Sequence, residues 1–216
     1  MTKRNKAPPT WRKSLPTIES VTIVGLGGIG RQVAVQLAAL GVPRLQLVDA
    51  RTVARSTHAA EGYPFEDVGR LRVHSSAYLC HQINPRLNIH ASPTRSLGTI
   101  EPGGAVFCCS ATPAVWPSLQ RPVRPNVVVA RCDVFGNKLQ LDFARGVSVV
   151  AEWLDRMATS PVDQRPARRG VTPIYFATLA AGLLVAEFIR FCQGRPSWRS
   201  VRLDLQSLQS KVDQPG

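Results

Sequence analysis

Acidic residues are scarce: 14 Asp and Glu stand against 27 Lys and Arg in 216 residues, a formal net charge of +13. A surface that basic suits nucleic acid, anionic lipid or an acidic protein partner. Much of the charge, however, falls at Lys3, Arg4, Lys6, Arg12 and Lys13 and again at Arg165, Arg168 and Arg169. These are proline-containing stretches that read as solvated flexible segments, so nucleic acid is not the expected partner. Long apolar runs are missing too. The longest, Thr172 to Ala186, is too short to cross a bilayer and reads as a buried helix, so no membrane association is expected. No apolar run follows the basic N-terminus, which excludes a secretory signal and makes the cytoplasm the expected location. The five cysteines are odd in number and form no C-x-x-C pair, which fits a reducing compartment and argues against a paired-knuckle zinc site. What remains is ordinary: 44% apolar residues, enough for one sizeable α/β domain.

Val21-Thr22-Ile23-Val24 reads as a buried strand running into Gly25-Leu26-Gly27-Gly28-Ile29-Gly30. Apolar residues at Ile29, Val33, Leu37 and Leu40 then form a helical stripe that stops at Gly41. Leu45-Gln46-Leu47-Val48 is a second strand, ending at Asp49. After a loop containing Ser56 and His58, the pattern predicts a second helix from about Phe65 to Ile83, before Asn84-Pro85. Further strands are expected at Leu87–His90, Ala105–Cys109, Val127–Ala130 and Leu139–Leu141, with a short helix over Pro113–Leu119 and a turn at Gly136-Asn137. A Pro/Arg-rich loop, 159–171, precedes Thr172-Pro173, a capping hydroxyl followed by proline at the first helical position of the last long helix. Val201–Leu205 is a closing strand. The expected organisation is a basic tail over residues 1–18, a nucleotide-binding domain over 19–206 and a second tail over 207–216. The expected fold is a Rossmann-like, mostly parallel sheet with helices on both faces and antiparallel additions at its C-terminal end.

The spacing G-x-G-x-x-G between a strand and a helix has a physical logic. Its first glycine, Gly25, permits the tight turn; Gly27 lets backbone approach a phosphate; Gly30 lets helix pack on strand. The helix N-terminus offers unpaired N–H groups and the positive end of a dipole to an anion. Asp49, at the end of the next strand, stands where a carboxylate accepts hydrogen bonds from ribose hydroxyls. An adenosine-type nucleotide is the expected ligand.

A wider pattern surrounds this unit. The doubled Gly27-Gly28, Leu40-Gly41-Val42, Leu47-Val48-Asp49, Ser56, Asp67-Val68-Gly69, Ile83-Asn84-Pro85 and Cys109-Ser110-Ala111-Thr112 together resemble the ThiF/MoeB/HesA family, bacterial relatives of ubiquitin-activating enzymes. The resemblance implies a protein that uses ATP and Mg²⁺ to adenylate the C-terminal glycine of a small ubiquitin-like or sulfur-carrier protein, and that forms a homodimer. It assigns nucleotide binding to Gly25, Gly27, Gly28, Gly30 and Asp49, with Ser56 in the following motif. Arg72 stands in the place of a phosphate-contacting lysine. The sequence also departs from the family. Arg51 replaces a second acid, Ala60 a phosphate-clamping arginine and Ala111 the magnesium-linked aspartate. No cysteine lies between Asp133 and Tyr175, where a thioester or persulfide would form. Adenylation is thereby left without two of its usual charges, each typically worth about 10²–10³ in rate.

Candidate substitutes are few. Asp133 could carry a displaced metal carboxylate or simply cap the turn before Gly136, and Arg72 and Asp133 are the candidates for direct chemistry. Arg51 and Arg55 could clamp phosphates or be solvated loop charges. His74 and His81 share a helix face at a spacing more typical of packing than of metal ligation. Cys108 and Cys109 read as core, and Cys132, beside Arg131, is the best candidate for a reactive thiol. Two other readings stay open. An NAD(P)-dependent oxidoreductase would use the same glycine turn and Asp49, although no Tyr-x-x-x-Lys pair accompanies them. A non-catalytic adaptor would keep the fold without the reaction.

Overall fold

β1 (Val21–Val24) is buried at every position and leads through the glycine turn into α1 (Gly28–Leu40), whose Val33 and Leu37 are fully enclosed. Gly41 ends this helix in the left-handed region, at φ 82°, and its amide bonds back to the Leu37 and Ala38 carbonyls. β2 (Arg44–Val48) returns beside β1 in parallel. The structure, a computed structural model, describes residues 20–94, 104–109, 128–146, 152, 172–195 and 199–213. The basic tail, the 159–171 loop and the short helix expected over Pro113–Leu119 lie outside the described residues.

The segment after β2 differs from its sequence-based expectation. A short helix, α2 (His58–Glu61), forms within the loop. The helix expected from Phe65 to Ile83 is two pieces, a 3-10 turn at Phe65–Asp67 and α3 (Arg72–Ile83). Gly69 breaks it at φ 88°, and the backbone on either side is spent elsewhere: the Gly69 amide donates to the Val53 carbonyl and the Val53 amide to the Arg70 carbonyl.

β3 (Asn88–Ser92), β4 (Ala105–Cys108), β5 (Val128–Phe135), β6 (Lys138–Arg145), β7 (Ser200–Asp204) and β8 (Gln209–Asp213) complete one sheet of order β3-β2-β1-β4-β5-β6-β7-β8. Strands β1 to β5 pair in parallel, and β5 to β8 pair antiparallel. This is the mostly parallel sheet with antiparallel additions that the sequence implies. The segment read as a C-terminal tail instead supplies β8. Its Gln-Ser-Lys-Val-Asp sequence is almost wholly exposed, so no apolar alternation marks it as a strand.

α4 (Ile174–Cys192) has 19 residues and a mean hydropathy of 1.7, long and apolar enough by length and composition to cross a membrane, unlike the shorter run read from the sequence. Here it is a core helix: Phe176, Ala177, Ala180, Ala181, Leu184 and Phe188 are buried in the same cluster as α1, α3 and one face of the sheet. Phe188 meets Phe107 of β4 edge to face at 5.7 Å. Pro173 is the residue before the first helical turn rather than its first member, and no side chain caps this end. On the other face of the sheet Thr22, Val24, Val48, Val106 and Cys108 are buried as well, as central parallel strands require.

Two glycines give opposite expectations. A methyl group on Gly30 would collide with the Gly25 carbonyl oxygen, so Gly30→Ala should cost about 1–3 kcal/mol or more. Nothing lies within 4 Å of the corresponding position at Gly182 in α4, so Gly182→Ala should stabilise by about 0.5–1 kcal/mol. Urea denaturation midpoints check both; an unchanged midpoint for Gly30→Ala would contradict the close approach.

Candidate nucleotide-binding site

The strand order reverses between β1 and β4, which opens a crevice beyond the carboxyl ends of these strands, the place where open α/β sheets bind ligands. Gly25 leaves β1 at φ 86° and donates its amide to the Val48 carbonyl at 2.8 Å. The start of α1 is roofed by two other elements. A Cβ at Gly28 would lie 3.1 Å from the Ala177 methyl of α4 and 3.6 Å from the Glu61 Cα of α2. At Gly27 the neighbours are charged: the same position lies 3.6 Å from Glu61 Oε1 and 3.7 Å from Arg72 Nη1.

Asp49 ties β2 to this turn. Its Oδ2 accepts from the Leu26 amide at 2.8 Å and from Arg51 Nη2 at 3.0 Å; its Oδ1 accepts from the Arg51 amide at 2.8 Å and Arg51 Nε at 3.1 Å. Burial alone would raise this carboxyl's pKa. The hydrogen bond and charge of Arg51, with the two backbone amides, outweigh that and hold it below the usual carboxylate range. A carboxylate has about four lone-pair directions, and all four are filled. A ribose hydroxyl therefore reaches Asp49 only by replacing Arg51, whose side chain is 51% exposed.

Arg72, at the start of α3, is the second anchor. Its Nε donates to the Thr52 carbonyl at 3.2 Å and its Nη2 to Glu61 Oε2 at 2.6 Å. Nη1 is buried without a hydrogen-bond partner, 3.9 Å from Asp49 Oδ2. A buried guanidinium with a spare donor at an anion-binding turn fits a nucleotide phosphate.

The structure therefore gathers Gly25, Gly27, Gly28, Gly30, Asp49, Arg51 and Arg72 at one point. Other candidates lie apart. Ser56 is exposed in the turn before α2, and the Arg55 guanidinium lies over the Phe65 ring at 5.3 Å. Asp133 belongs to β5 rather than following it. Its carboxylate is held by Arg131 at 2.9 and 3.0 Å. Cys132 is buried, and burial with Asp133 and Asp142 nearby raises its thiol pKa, the opposite of activation. Cys108 is likewise pushed up to about 12 by burial. His74 is exposed, and His81 hydrogen-bonds the Leu87 carbonyl at 3.0 Å. Ala111 lies outside the described residues.

Three residues at the turn escape a motif-based reading. Tyr63 donates its hydroxyl to the Leu26 carbonyl at 2.7 Å and meets Ser76 Oγ at 3.0 Å. Arg31 stacks over the Tyr63 ring at 5.0 Å. Glu61 pairs with Arg72. The one signal available for Glu61 was an acid at the end of the loop that begins at Asp49.

A family model described as the ThiF family matches residues 10–160. The chain belongs to the ThiF family. It is 33% identical over 100 residues to the adenylyltransferase and sulfurtransferase uba4 of Aspergillus fumigatus, a match covering 44% of this chain and 20% of that protein. The chain thus spans about a fifth of the curated relative. Two solved structures share the fold: E. coli MccB with ATP, TM-score 0.75 at 15% identity, covering 95% of this chain and 66% of that one, and PaaA, TM-score 0.73 at 16% identity, covering 94% and 66%. The nicotinamide alternative finds no support among these relatives.

Because its folded-state pKa is depressed, Asp49 contributes stability above the unfolded-state value of about 3.9, and that contribution fades as pH falls through the folded-state value. Asp49→Asn should cost about 1–3 kcal/mol near pH 7. Thermal melts should show the gap to the parent protein closing as both are taken to about pH 3; a gap independent of pH would contradict the ionised network.

Proposed function

We propose that this ThiF-family chain binds ATP at its glycine turn and adenylates the C-terminal carboxylate of a small ubiquitin-like or sulfur-carrier protein. The observation that carries this reading is the convergence of Asp49 and Arg72 on Leu26-Gly27 at the point where the strand order reverses. The A. fumigatus relative is named as an adenylyltransferase, and MccB has been solved with ATP and also with MccA.

ATP would supply an adenylyl group: the carrier carboxylate gains a bond to the α-phosphorus as the bond to the β-phosphate oxygen breaks, and pyrophosphate leaves. This chain's residues then have separate tasks. The turn from Gly25 to Gly30 brings backbone close to the phosphates, and the first-turn amides of α1 have no intrahelical partner. Arg72 Nη1 offers its free donor to the developing negative charge. Asp49 takes the ribose once Arg51 has turned away, and Arg51 then stands as a free cation beside the nucleotide. Positioning and charge neutralisation of this kind supply most of the catalysis in phosphoryl and nucleotidyl transfer. A homodimer in the cytoplasm is part of the same proposal.

A second reading has one specific observation in its favour. Ala60 lies against the start of α1, its carbonyl 3.8 Å from the Cβ position of Gly28, with no cation on its side chain. A protein that binds the nucleotide and carrier without reaction would look the same. Calorimetry with ATP and NAD, followed by ATP–pyrophosphate exchange with a carrier ending in Gly-Gly, separates the readings. Adenylation expects ATP binding and carrier-dependent exchange; the binding-only reading expects ATP binding without exchange. NAD binding without ATP binding would overturn both. Arg72→Gln should weaken ATP about 10–100-fold while leaving adenosine nearly unchanged, since a hydrogen bond to a charged group is worth about 1.5–3 kcal/mol.

A further inference from the structure

We propose that Glu61 holds the divalent cation that accompanies the bound nucleotide, an inference that rests on the nucleotide reading of this site. Glu61 is the last residue of α2 and its side chain is 13% exposed. One carboxylate oxygen, Oε2, is committed to Arg72 Nη2 at 2.6 Å. The other, Oε1, has no hydrogen-bond partner and stands over Gly27. Beside the same glycine turn is Arg72, 4% exposed, whose Nη1 has no hydrogen-bond partner and lies 3.9 Å from Asp49 Oδ2. The pair thus presents one free acceptor and one free buried donor to the same few ångströms of backbone.

A bare phosphate satisfies only half of this arrangement. It can accept from Arg72 Nη1 and from the turn amides, but it then shares Gly27 with a carboxylate of the same sign. Two anions at a site largely closed to solvent repel strongly. Moving Glu61 away would relieve the repulsion but strip Arg72 Nη2 of its partner. A hard divalent cation between Oε1 and a phosphate oxygen removes the conflict with the Glu61–Arg72 bond kept. Magnesium is bound in this way elsewhere, through one or two carboxylates, substrate phosphates and water. The other carboxylates near the turn are committed. Asp49 has all four lone-pair directions filled, and Asp67 is paired with Arg70 at 3.1 Å.

Titrating the full chain with ATP, in Mg²⁺ and in excess chelator, tests the proposal by calorimetry, with Mn²⁺ resonance spectra of the ATP complex as a second readout. Glu61→Gln keeps the size of the side chain and an oxygen for Arg72. Even partners outside the ligand shell are worth about 10–100-fold in metal affinity, so losing this carboxylate should weaken Mn²⁺ in the complex at least about tenfold. Metal-free ATP should bind Glu61→Gln as tightly as the parent protein or more tightly, while adenosine affinity stays the same. Glu61→Asp, which keeps the charge, should restore metal dependence, and this variant carries the test if Glu61→Gln melts early. If Glu61→Gln keeps the parent's Mn²⁺ affinity and Mg²⁺ dependence, or if Glu61→Asp and Glu61→Gln behave alike, Glu61 is only the counter-ion of Arg72. If the folded parent protein binds neither ATP nor adenosine, the nucleotide reading itself fails and the cation site with it.

Discussion

Both polar groups of the Leu26 backbone are held by side chains from elsewhere in the chain. Its amide donates to Asp49 Oδ2 at 2.8 Å and its carbonyl accepts from the Tyr63 hydroxyl at 2.7 Å. A residue between a strand and a helix cannot satisfy these groups within either element, and leaving them unpaired in the interior would be costly. Pinning them fixes the tilt of the glycine turn against β2 and against the loop that follows it. The approach of Gly27 to Glu61 and Arg72 depends on that tilt, as does the start of α1 beneath α2 and α4.

The charges around the turn come in a particular order. Asp49 and Glu61 each hold an arginine, Arg51 and Arg72, and the Arg72 guanidinium lies within 3.9 Å of both carboxylates. These four charges cancel, although the chain carries +13, and Arg31 over the Tyr63 ring adds one further cation beside them. What distinguishes this turn is which atoms lack a hydrogen-bond partner rather than net charge. Removing one partner of a buried pair strands the other, so Arg51, Glu61 and Arg72 form a set in which a change at one position alters the demand on the next. Arg51 differs from Arg72 in being half exposed, so it can turn out into water, but Asp49, its side chain 3% exposed, then needs another donor in its place.

The β1–α1–β2 unit was legible from sequence because each element carries its own signal: continuous burial for β1, a 3.6-residue stripe for α1, a glycine at its end. Asp49 and Arg72 were legible through motif spacing. Glu61 and Tyr63 were not, because they act from a loop whose backbone has no period and whose side chains are placed by contacts with residues distant in sequence. The expected single helix over Phe65–Ile83 failed for a related reason: Gly69 and the bonds between Val53 and the 69–70 backbone are tertiary facts. β8 was hidden by its polarity, and Asp133 by its neighbour two residues away on the same strand, whose pairing depends on the strand continuing past Ala130.

The roof over Gly28 has a consequence for how the molecule comes together. Ala177 belongs to α4, near the other end of the chain, yet its methyl group closes on the third glycine of a turn formed by residues 25–30. A chain emerging from the ribosome can pair β1 with β2 and wind α1 long before α4 exists. Until α4 docks, Gly28 lacks the Ala177 side of its cover, and Val33 and Leu37 lack part of the cluster that encloses them. Contacts that span so much sequence form late because a large loop must close first. The segment most easily recognised in the sequence is therefore among the last to reach its finished shape.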